Sequence, residues 1–562
     1  MKKQEIAWWK KSVVYHIFLR SFKDSDGDGI GDIRGIIEKL DYLENLGVEV
    51  LWISPINDSP QVDSGYDVRD YYSVYPPYGT MQDLEELIDQ LHSRNMKLLL
   101  DIVINHTSDE HPWFQKSRSS LTNPYRDYYF WRDESSPGQP PNKWQSIFGG
   151  SAWKYDPSTN QYYLHLFHTK QPDLNWDYPP VRKSIYKMLK FWLDKGIDGF
   201  RLDAIFIISK DQSFPEGIPL PGTSYTHGSP HYRNGPRVHE FLQEMNEEVF
   251  SHYDILTAGE AEEVTPQEAQ ILTDPRNKEI NLVLPFEHIQ SEEKDDKWLW
   301  RTIDVLKFKS IISKWHEGLE DAGWIGLYWT SHDIARSVTR FGNDSKEYRI
   351  KSAKMLATSL YFLRATLFIM QGEEIGMTNV PFESLDDFPD IETQQIYKQK
   401  RSIGWSHEET MIAIRRKSRD NSRTPMQWDS SHAAGFTSGT PWTKVNPNYT
   451  YINTEESLQD SESIFYHYKK LIEIRKQNEM LLTSPFKLLL EGHSAVFAYL
   501  RYDQKETILV LCNFSESFQC LENEALPEEI KKATILITNR ENAQENRISL
   551  EPYEATVYQW NQ

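Results

Sequence analysis

The run from residue 195 to residue 204 holds an arginine and an aspartate that could do chemistry together. Gly196 ends a predicted helix, and the apolar run 197–202 that follows predicts a buried strand. Arg201 and Asp203 alternate along this strand, so both side chains point to the same side. A carboxylate fixed beside a guanidinium is expected to be ionised at neutral pH, as a nucleophile requires. A purely structural ion pair at a strand end would have the same local sequence.

Short apolar runs that could position this pair alternate with helical patterns along most of the chain. They begin near residues 13, 48, 98, 197, 255, 282, 326 and 367. Strands separated by crossover helices predict a parallel sheet, and eight of them close into a (β/α)8 TIM barrel of the α/β class. In such barrels the active site lies at the carboxyl ends of the strands.

Two parts of the chain depart from this alternation. Residues 105–176 are rich in Trp, Tyr, Pro, Ser and Asn without long helical patterns, which predicts an inserted domain B after the third strand. From residue 481 to residue 562 the hydrophobic period changes to two, which predicts a C-terminal antiparallel β-sandwich domain. Residues 1–104 and 177–480 are therefore assigned to the barrel.

Acidic residues follow the fourth, fifth and seventh predicted strands, namely Asp203, Glu260 and Asp333. We expect their side chains to converge on one cleft, because an unspecialised acidic surface would scatter its carboxylates over helix faces. Retaining hydrolysis of a glycosidic bond needs two carboxylates roughly 5–5.5 Å apart. One attacks the anomeric carbon, while the other protonates the leaving oxygen and later activates water, and neither step requires a metal.

The amino-acid composition narrows the classes of molecule that the chain could bind. The formal net charge of -21 argues against nucleic acid and against an anionic membrane surface. The 18 Trp and 30 Tyr could line a sugar site by ring stacking, or could simply fill a large core. Two cysteines, Cys512 and Cys520, are too few for a disulfide framework or a metal cluster. With no apolar leader and no membrane-spanning run, the sequence predicts a cytoplasmic location.

An acidic loop follows the first predicted strand, with aspartates at 24, 26, 28 and 32 and glycines between them. Oxygen-bearing side chains at alternate positions, with glycine at the sixth, are typical of a calcium loop. Gly35 stands where an EF-hand would place its bidentate glutamate, so this is not an EF-hand. A solvated acidic turn is the alternative interpretation.

Short runs along the chain together resemble the motifs of the α-amylase family, glycoside hydrolase family 13. The four central runs are DIVINH (101–106), GFRLDA (199–204), AGE (258–260) and SHD (331–333). Three further runs are similar to the oligo-1,6-glucosidase and α-glucosidase branch: QPDLNW (171–176), QGEEIGMTN (371–379) and RTPMQW (423–428). The resemblance spans nearly the whole chain in the expected order.

The resemblance implies a role for each candidate residue. Asp203 would be the nucleophile, Glu260 the general acid/base, and Asp333 the carboxylate that binds sugar hydroxyls and stabilises the transition state. The non-reducing glucose would be held by Asp63, Tyr66, His106, Phe167, Arg201, His332 and Arg419. A structural cation, calcium or magnesium, would be bound by Asp24, Asp26, Asp28, Asp32 and the Ile30 carbonyl.

The chain departs from that family's pattern on the leaving-group side. Ser331 replaces the usual Asn, and Ile334 replaces an amide that could hydrogen-bond the second sugar. Ala204, directly after the nucleophile position, favours α-1,4 bonds or a mixed preference over strict α-1,6 action. These departures leave transfer or isomerisation open beside hydrolysis.

The predicted function is a retaining exo-α-glucosidase that acts on short oligosaccharides of the maltose or isomaltose type, as a monomer or weak homo-oligomer. A sucrose isomerase or glucosyltransferase, or a trehalose-6-phosphate hydrolase, could use the same site. A catalytically dead sugar-binding or partner-binding protein is the alternative from another class, although it would be expected to lose catalytic carboxylates.

Overall fold

The computed structural model describes residues 6–293, 297–299, 301–320, 322–521, 526–541 and 548–561. Within these residues, eight parallel strands form one sheet in the order β6-β5-β4-β3-β2-β1-β8-β7. The strands are β1 Val13–Ile17, β2 Val50–Ile53, β3 Lys97–Val103, β4 Gly199–Asp203, β5 Leu256–Ala261, β6 Leu282–Pro285, β7 Gly326–Leu327 and β8 Thr366–Met370. A parallel bridge between Val283 and Ile325 joins the two edges, so the sheet is a nearly closed barrel. The predicted fold class is confirmed.

Helices cover the outside of the barrel between successive strands. They are Ile33–Glu38 and Leu40–Leu46 after β1, Met81–Ser93 after β2, Pro179–Asp194 after β3, Val238–Glu248 after β4, Pro266–Thr273 after β5, Val305–Gly318 after β6, Arg349–Tyr361 after β7 and Ile464–Gln477 after β8. Two more helices, Ile391–Ser402 and His407–Lys417, lie in the long segment that follows β8.

The helix before β4 shows why the sequence positions that strand. Pro179 and Pro180 occupy its first turn, where a missing backbone N–H costs nothing. An apolar stripe that includes Ile185 and Trp192 is fully buried against the sheet. Gly196 then adopts a φ of +101°, which L side chains rarely adopt, and the chain turns back into β4. The strand that carries Arg201 and Asp203 is therefore oriented by local sequence.

The region after β3 forms a small three-stranded antiparallel sheet from Trp131–Arg132, Trp153–Asp156 and Gln161–Leu164. Buried side chains of this region, including Trp153 of the sheet and Trp144 between its first two strands, share one hydrophobic cluster with Phe206 and Phe214 from the segment after β4. This packing holds the inserted sheet against the carboxyl ends of the barrel strands. The limits 105–176 remain a prediction.

The C-terminal region forms a five-stranded antiparallel sheet in the order β9-β10-β11-β13-β12 within the described residues. The strands are β9 Phe486–Leu489, β10 Val496–Tyr502, β11 Glu506–Asn513, β12 Thr534–Thr538 and β13 Ala555–Asn561. One face packs on the barrel, where the rings of Phe308 and Phe497 lie 5.3 Å apart. Leu521 and Leu550 cover the other face. Among the described helices, none is long and apolar enough to cross a membrane.

Candidate active site

Arg201 links the carboxylates at the ends of three adjacent strands. Strand pairing sets Asp101 of β3 and Ala258 of β5 on either side of Arg201 in β4. Nη1 of Arg201 lies 2.9 Å from Asp101 Oδ1 and 2.6 Å from Asp203 Oδ1. Its Nη2 lies 3.1 Å from Glu260 Oε2. One buried guanidinium therefore holds the two carboxylates of the predicted catalytic pair on the same side of the barrel.

The protonation of Asp203 and Glu260 depends on burial and on their mutual repulsion as well as on Arg201. Burial raises the pKa of Glu260 to about 7, against the opposing effect of the Arg201 guanidinium. Burial also raises the pKa of Asp203 well above its ordinary value, and the neighbouring Glu260 carboxylate adds to this against Arg201. Because two neighbouring carboxylates repel each other, such a pair takes up its first proton at a higher pH than an isolated carboxylate would. Asp203 makes the shorter contact with Arg201, so we assign the first proton of the pair to Glu260.

Asp333 follows β7 in a strongly cationic environment. Its Oδ1 accepts hydrogen bonds from Arg419 at 2.9 Å and Arg423 at 3.0 Å. Its Oδ2 lies 3.0 Å from Nε2 of His332. Although burial opposes the effect, His332 and the two arginines hold the pKa of Asp333 well below its ordinary value. This carboxylate is ionised at neutral pH and can accept hydrogen bonds from sugar hydroxyls.

A chain of hydrogen bonds joins Asp333 to the far wall of the cavity. Arg419 donates from Nη2 to Asp63 Oδ1 at 2.9 Å, and Gln171 donates to Asp63 Oδ2 at 3.0 Å. The Gln171 amide also lies 3.2 Å from Nε2 of His106. The Asp63 side chain is almost completely buried, and burial raises its pKa to about 6 against the effect of Arg419. Asp333, Arg419, Asp63, Gln171 and His106 form a continuous polar wall at one end of the cavity.

Tyr66 forms the floor of the cavity, between the carboxylates that contact Arg201 and the carboxylate of Asp333. Its hydroxyl donates to Asp101 Oδ2 at 2.8 Å and lies 2.6 Å from Nε2 of His332. The Tyr66 and His332 rings are stacked with centroids 5.2 Å apart. Burial lowers the pKa of His332, with the Asp333 carboxylate acting in the other direction. The floor is thus an aromatic surface.

The structure brings the predicted residues around one cavity of about 180 Å³. Nine predicted residues line it: Asp63, Tyr66, His106, Phe167, Asp203, Glu260, His332, Asp333 and Arg419. The tenth predicted residue, Arg201, is not part of this lining but contacts Asp203 and Glu260, which are. Arg419, which the sequence places in a long polar stretch, lines the cavity. Ile334 also lines the cavity, so an apolar side chain faces it directly after Asp333.

Sequence reasoning assigned no role to Gln171, Asp390 and Arg423, although each supports the cavity wall. Asp390 accepts from Arg419 at 2.9 Å and from Arg423 at 2.8 Å. Gln171 and Arg423 each begin a quoted run, QPDLNW and RTPMQW, so a signal for them was present. Asp390 lies in a segment without periodicity, and nothing in the sequence indicated it.

The predicted metal loop brings together three of its aspartates. One carboxylate oxygen from each of Asp24, Asp26 and Asp28 lies within 4.8 Å of the others. Asp32 instead accepts from the backbone N–H groups of Gly35 and Ser25, each at 2.7 Å, and caps the helix Ile33–Glu38. The Ile30 N–H donates to Asp28 Oδ1 at 2.7 Å. The donor oxygens fit a hard cation such as calcium.

The barrel and its paired carboxylates define the class: a barrel enzyme with the residues for glycosidic-bond hydrolysis. The family model described as "Alpha amylase, catalytic domain" matches residues 16–484, and the chain belongs to the α-amylase family. The resemblance of the short motifs is thereby confirmed.

Three relatives show how far the similarity extends. The oligo-1,6-glucosidase of Halalkalibacterium halodurans is 50% identical over 558 residues, covering 98% of each chain. The solved trehalose-6-phosphate hydrolase of Bacillus licheniformis is 46% identical with a TM-score of 0.92, over 99% of this chain and 100% of that one. A solved isomaltulose synthase variant from Erwinia rhapontici is 43% identical with a TM-score of 0.94, at the same coverage. The chain is a glycoside hydrolase of the oligo-1,6-glucosidase type.

Proposed function

We propose that the protein is a retaining exo-α-glucosidase that releases terminal non-reducing glucose from short α-linked oligosaccharides. The observation that carries this proposal is the contact of Arg201 with both Asp203 and Glu260 at one cavity. Asp203 attacks the anomeric carbon while Glu260 gives its proton to the leaving oxygen. Glu260 then takes a proton from water, which displaces Asp203 and restores the original anomeric configuration.

The polar wall supports action at a chain end. Asp63, His106 and Arg419, together with the ionised Asp333, offer donors and acceptors that match the hydroxyls of a single terminal glucose. Since Gln171 links His106 to Asp63 and Arg419 links Asp63 to Asp333, these groups close one end of the cavity against a longer chain. Phe148 and Phe167, with ring centroids 5.6 Å apart, supply an apolar surface for the C–H face of the sugar.

The direct test is product analysis with isomaltose and maltose. We expect glucose from both, with α-glucose as the first product seen by proton NMR before mutarotation. β-Glucose as the first product, or no glucose from either sugar, would contradict the proposal. The ratio of the two rates decides between α-1,6 preference, as the names of several relatives suggest, and the mixed preference that Ala204 favours.

The same panel, extended to sucrose, tests transfer. The solved isomaltulose synthase is similar over the full length, and Ile334 places an apolar side chain in the cavity where an amide could hold the leaving sugar. Isomerised sucrose in place of free glucose and fructose would assign the chain to transfer. Absence of any reaction would favour the sugar-binding alternative.

We further propose a structural calcium ion at the acidic loop, bound by Asp24, Asp26 and Asp28, with the Ile30 carbonyl and Asp32 completing the predicted set. Burial and the charges of Asp26 and Asp24 raise the pKa of Asp28, a repulsion that a cation would relieve. Asp24 is also bonded to Phe436 and Thr437, so the ion would stabilise a link between the start and the end of the barrel domain.

A further inference from the structure

Four charged residues form a compact cluster, Glu292, Glu293, Arg340 and Lys417, at one side of the cavity. Glu292 Oε1 accepts from Arg340 at 2.6 Å and from Lys417 at 2.5 Å. Glu293 Oε1 accepts from the same two cations, each at 3.1 Å. The Glu292 side chain is fully buried, and the two cations are nearly so. Two positive and two negative charges are therefore held against each other.

The cluster uses cations that face the cavity. Arg340, Lys417 and Glu293 belong to its lining, whereas Glu292 lies behind them. Because Glu292 is buried, it cannot give up both partners without a large desolvation cost, so Arg340 and Lys417 cannot turn toward a bound anion. Their positive charge is thus already committed to carboxylates of the protein.

The other cations of the described lining are also paired. Lys297 forms an ion pair with Glu392, and Arg419 pairs with Asp63, Asp333 and Asp390. Carboxylates outnumber cations among these lining residues. The carboxylates are Asp63, Asp203, Glu260, Glu262, Glu293, Asp333 and Glu392, and the cations are Lys297, Arg340, Lys417 and Arg419. The lining therefore carries more negative than positive charge, even when Glu260 holds a proton.

We propose that this cluster selects an uncharged leaving group, so that the enzyme accepts neutral α-glucosides and rejects those with a phosphate or carboxylate on the leaving group. The proposal rests on the glucosidase function proposed above and names its substrate class. An anionic leaving group would lose its hydration in a cavity whose cations are already paired and whose carboxylates repel it. Glu293 is the residue whose charge decides the balance, because its removal leaves the cluster with a net positive charge.

The test compares two substrates that differ by one charge. These are 4-carboxyphenyl α-glucoside and its methyl ester, with trehalose 6-phosphate measured beside isomaltose. We expect wild type to prefer the methyl ester over the carboxylate substrate, and isomaltose over trehalose 6-phosphate. In Glu293→Gln we expect the relative kcat/KM for the carboxylate substrate to rise roughly 10- to 100-fold, the effect of one nearby charge at intermediate dielectric. Comparing the ratio between proteins cancels the different leaving abilities of the two phenols.

The matched control is Glu287→Gln. Glu287 lies in the same segment and pairs with Lys314, but it does not line the cavity, so the same change of charge should leave the substrate ratio unaltered. Thermal unfolding of each variant shows that it is folded.

Two results would overturn the proposal: trehalose 6-phosphate preferred over isomaltose by wild type, or an unchanged ratio in folded Glu293→Gln. If no neutral glucoside is hydrolysed, the glucosidase function itself fails. Calorimetry with trehalose 6-phosphate and wild type then decides the charge selection independently. Binding tighter than that of trehalose would contradict it, and weaker binding would support it.

Discussion

The backbone N–H of Ala204 donates a hydrogen bond to Oε2 of Glu260 at 2.8 Å. Ala204 directly follows Asp203 and has a φ of +47°, so the chain turns sharply as it leaves β4. That turn aims the N–H at the neighbouring strand end, and the position of one carboxylate becomes fixed by the backbone that carries the other. The relative placement of Asp203 and Glu260 therefore depends on the backbone turn at Ala204 as well as on Arg201.

Replacing Asp203 by Asn tests the nucleophile. Without a carboxylate to attack the anomeric carbon, kcat on isomaltose should fall by about 10⁴-fold or more, as for other removed nucleophiles. Steady-state kinetics measures the effect, and Asp211→Asn in an exposed loop serves as the control. Turnover like that of wild type in Asp203→Asn would contradict the proposed mechanism.

The pH profile tests the proton on Glu260. Since burial raises the pKa of Glu260 to about 7, the acid form needed for leaving-group protonation is lost as the pH rises through that value. We expect kcat/KM on isomaltose to decline above about 7. In Glu260→Gln, hydrolysis of isomaltose should be nearly abolished, and the alkaline decline should disappear for an aryl α-glucoside whose leaving group needs no proton. A decline that persists in the variant would assign it to another group.

Arg419 should matter for both binding and stability. It contacts Asp63, Asp333 and Asp390, each at 2.9 Å, and its removal leaves two buried carboxylates and the partly exposed Asp333 with reduced compensation. We expect Arg419→Ala to lower the free energy of unfolding by about 3–5 kcal/mol and to raise KM. Denaturant unfolding and kinetics measure the two effects. Arg69→Lys, at a half-exposed pair with Asp58, should change neither by a comparable amount, and similar results for the two variants would contradict the assignment.

The barrel and the meeting of three strand-end carboxylates at one cavity could be predicted because both follow from local patterns. The apolar runs and the glycine after the helix Pro179–Asp194 define β4, and the parallel topology then brings Asp203, Glu260 and Asp333 to one edge. Strand β7, Gly326–Leu327, is the shortest of the eight.

Other features depend on contacts that the sequence does not show. Asp390 and Lys417 come from the long segment after β8, and only tertiary packing brings them to the cavity. The ionisation of Asp203 was inferred from Arg201 alone, whereas burial and Glu260 act in the opposite direction. Such effects depend on which charges meet in space.

Removal of divalent cations tests the acidic loop. If calcium binds at Asp24, Asp26 and Asp28, a chelator should lower Tm, because a ligand at about 100 times its Kd stabilises the folded state by about 2.7 kcal/mol. Added calcium should restore Tm. In Asp26→Asn the response to calcium should weaken, while Asp109→Asn should behave like wild type. A Tm that does not respond to chelator or to calcium would contradict a structural cation.

A buried carboxyl group just after β8, that of Glu373, should make stability depend on pH. Burial raises the pKa of Glu373 from an ordinary 4.5 to about 7, although Tyr468 donates to it at 2.7 Å. Between these two values the folded state binds more protons than the unfolded state, so the free energy of unfolding falls as the pH rises through this window and levels off above it. Glu373→Gln should remove up to about 3 kcal/mol of that fall.

Denaturant unfolding at several pH values measures the slope of stability against pH, with the exposed Glu473→Gln as control. Some slope should persist from other buried carboxylates such as Asp420, whose pKa burial raises to about 6. An unchanged slope in Glu373→Gln would show that this carboxyl group does not retain its proton in the folded protein.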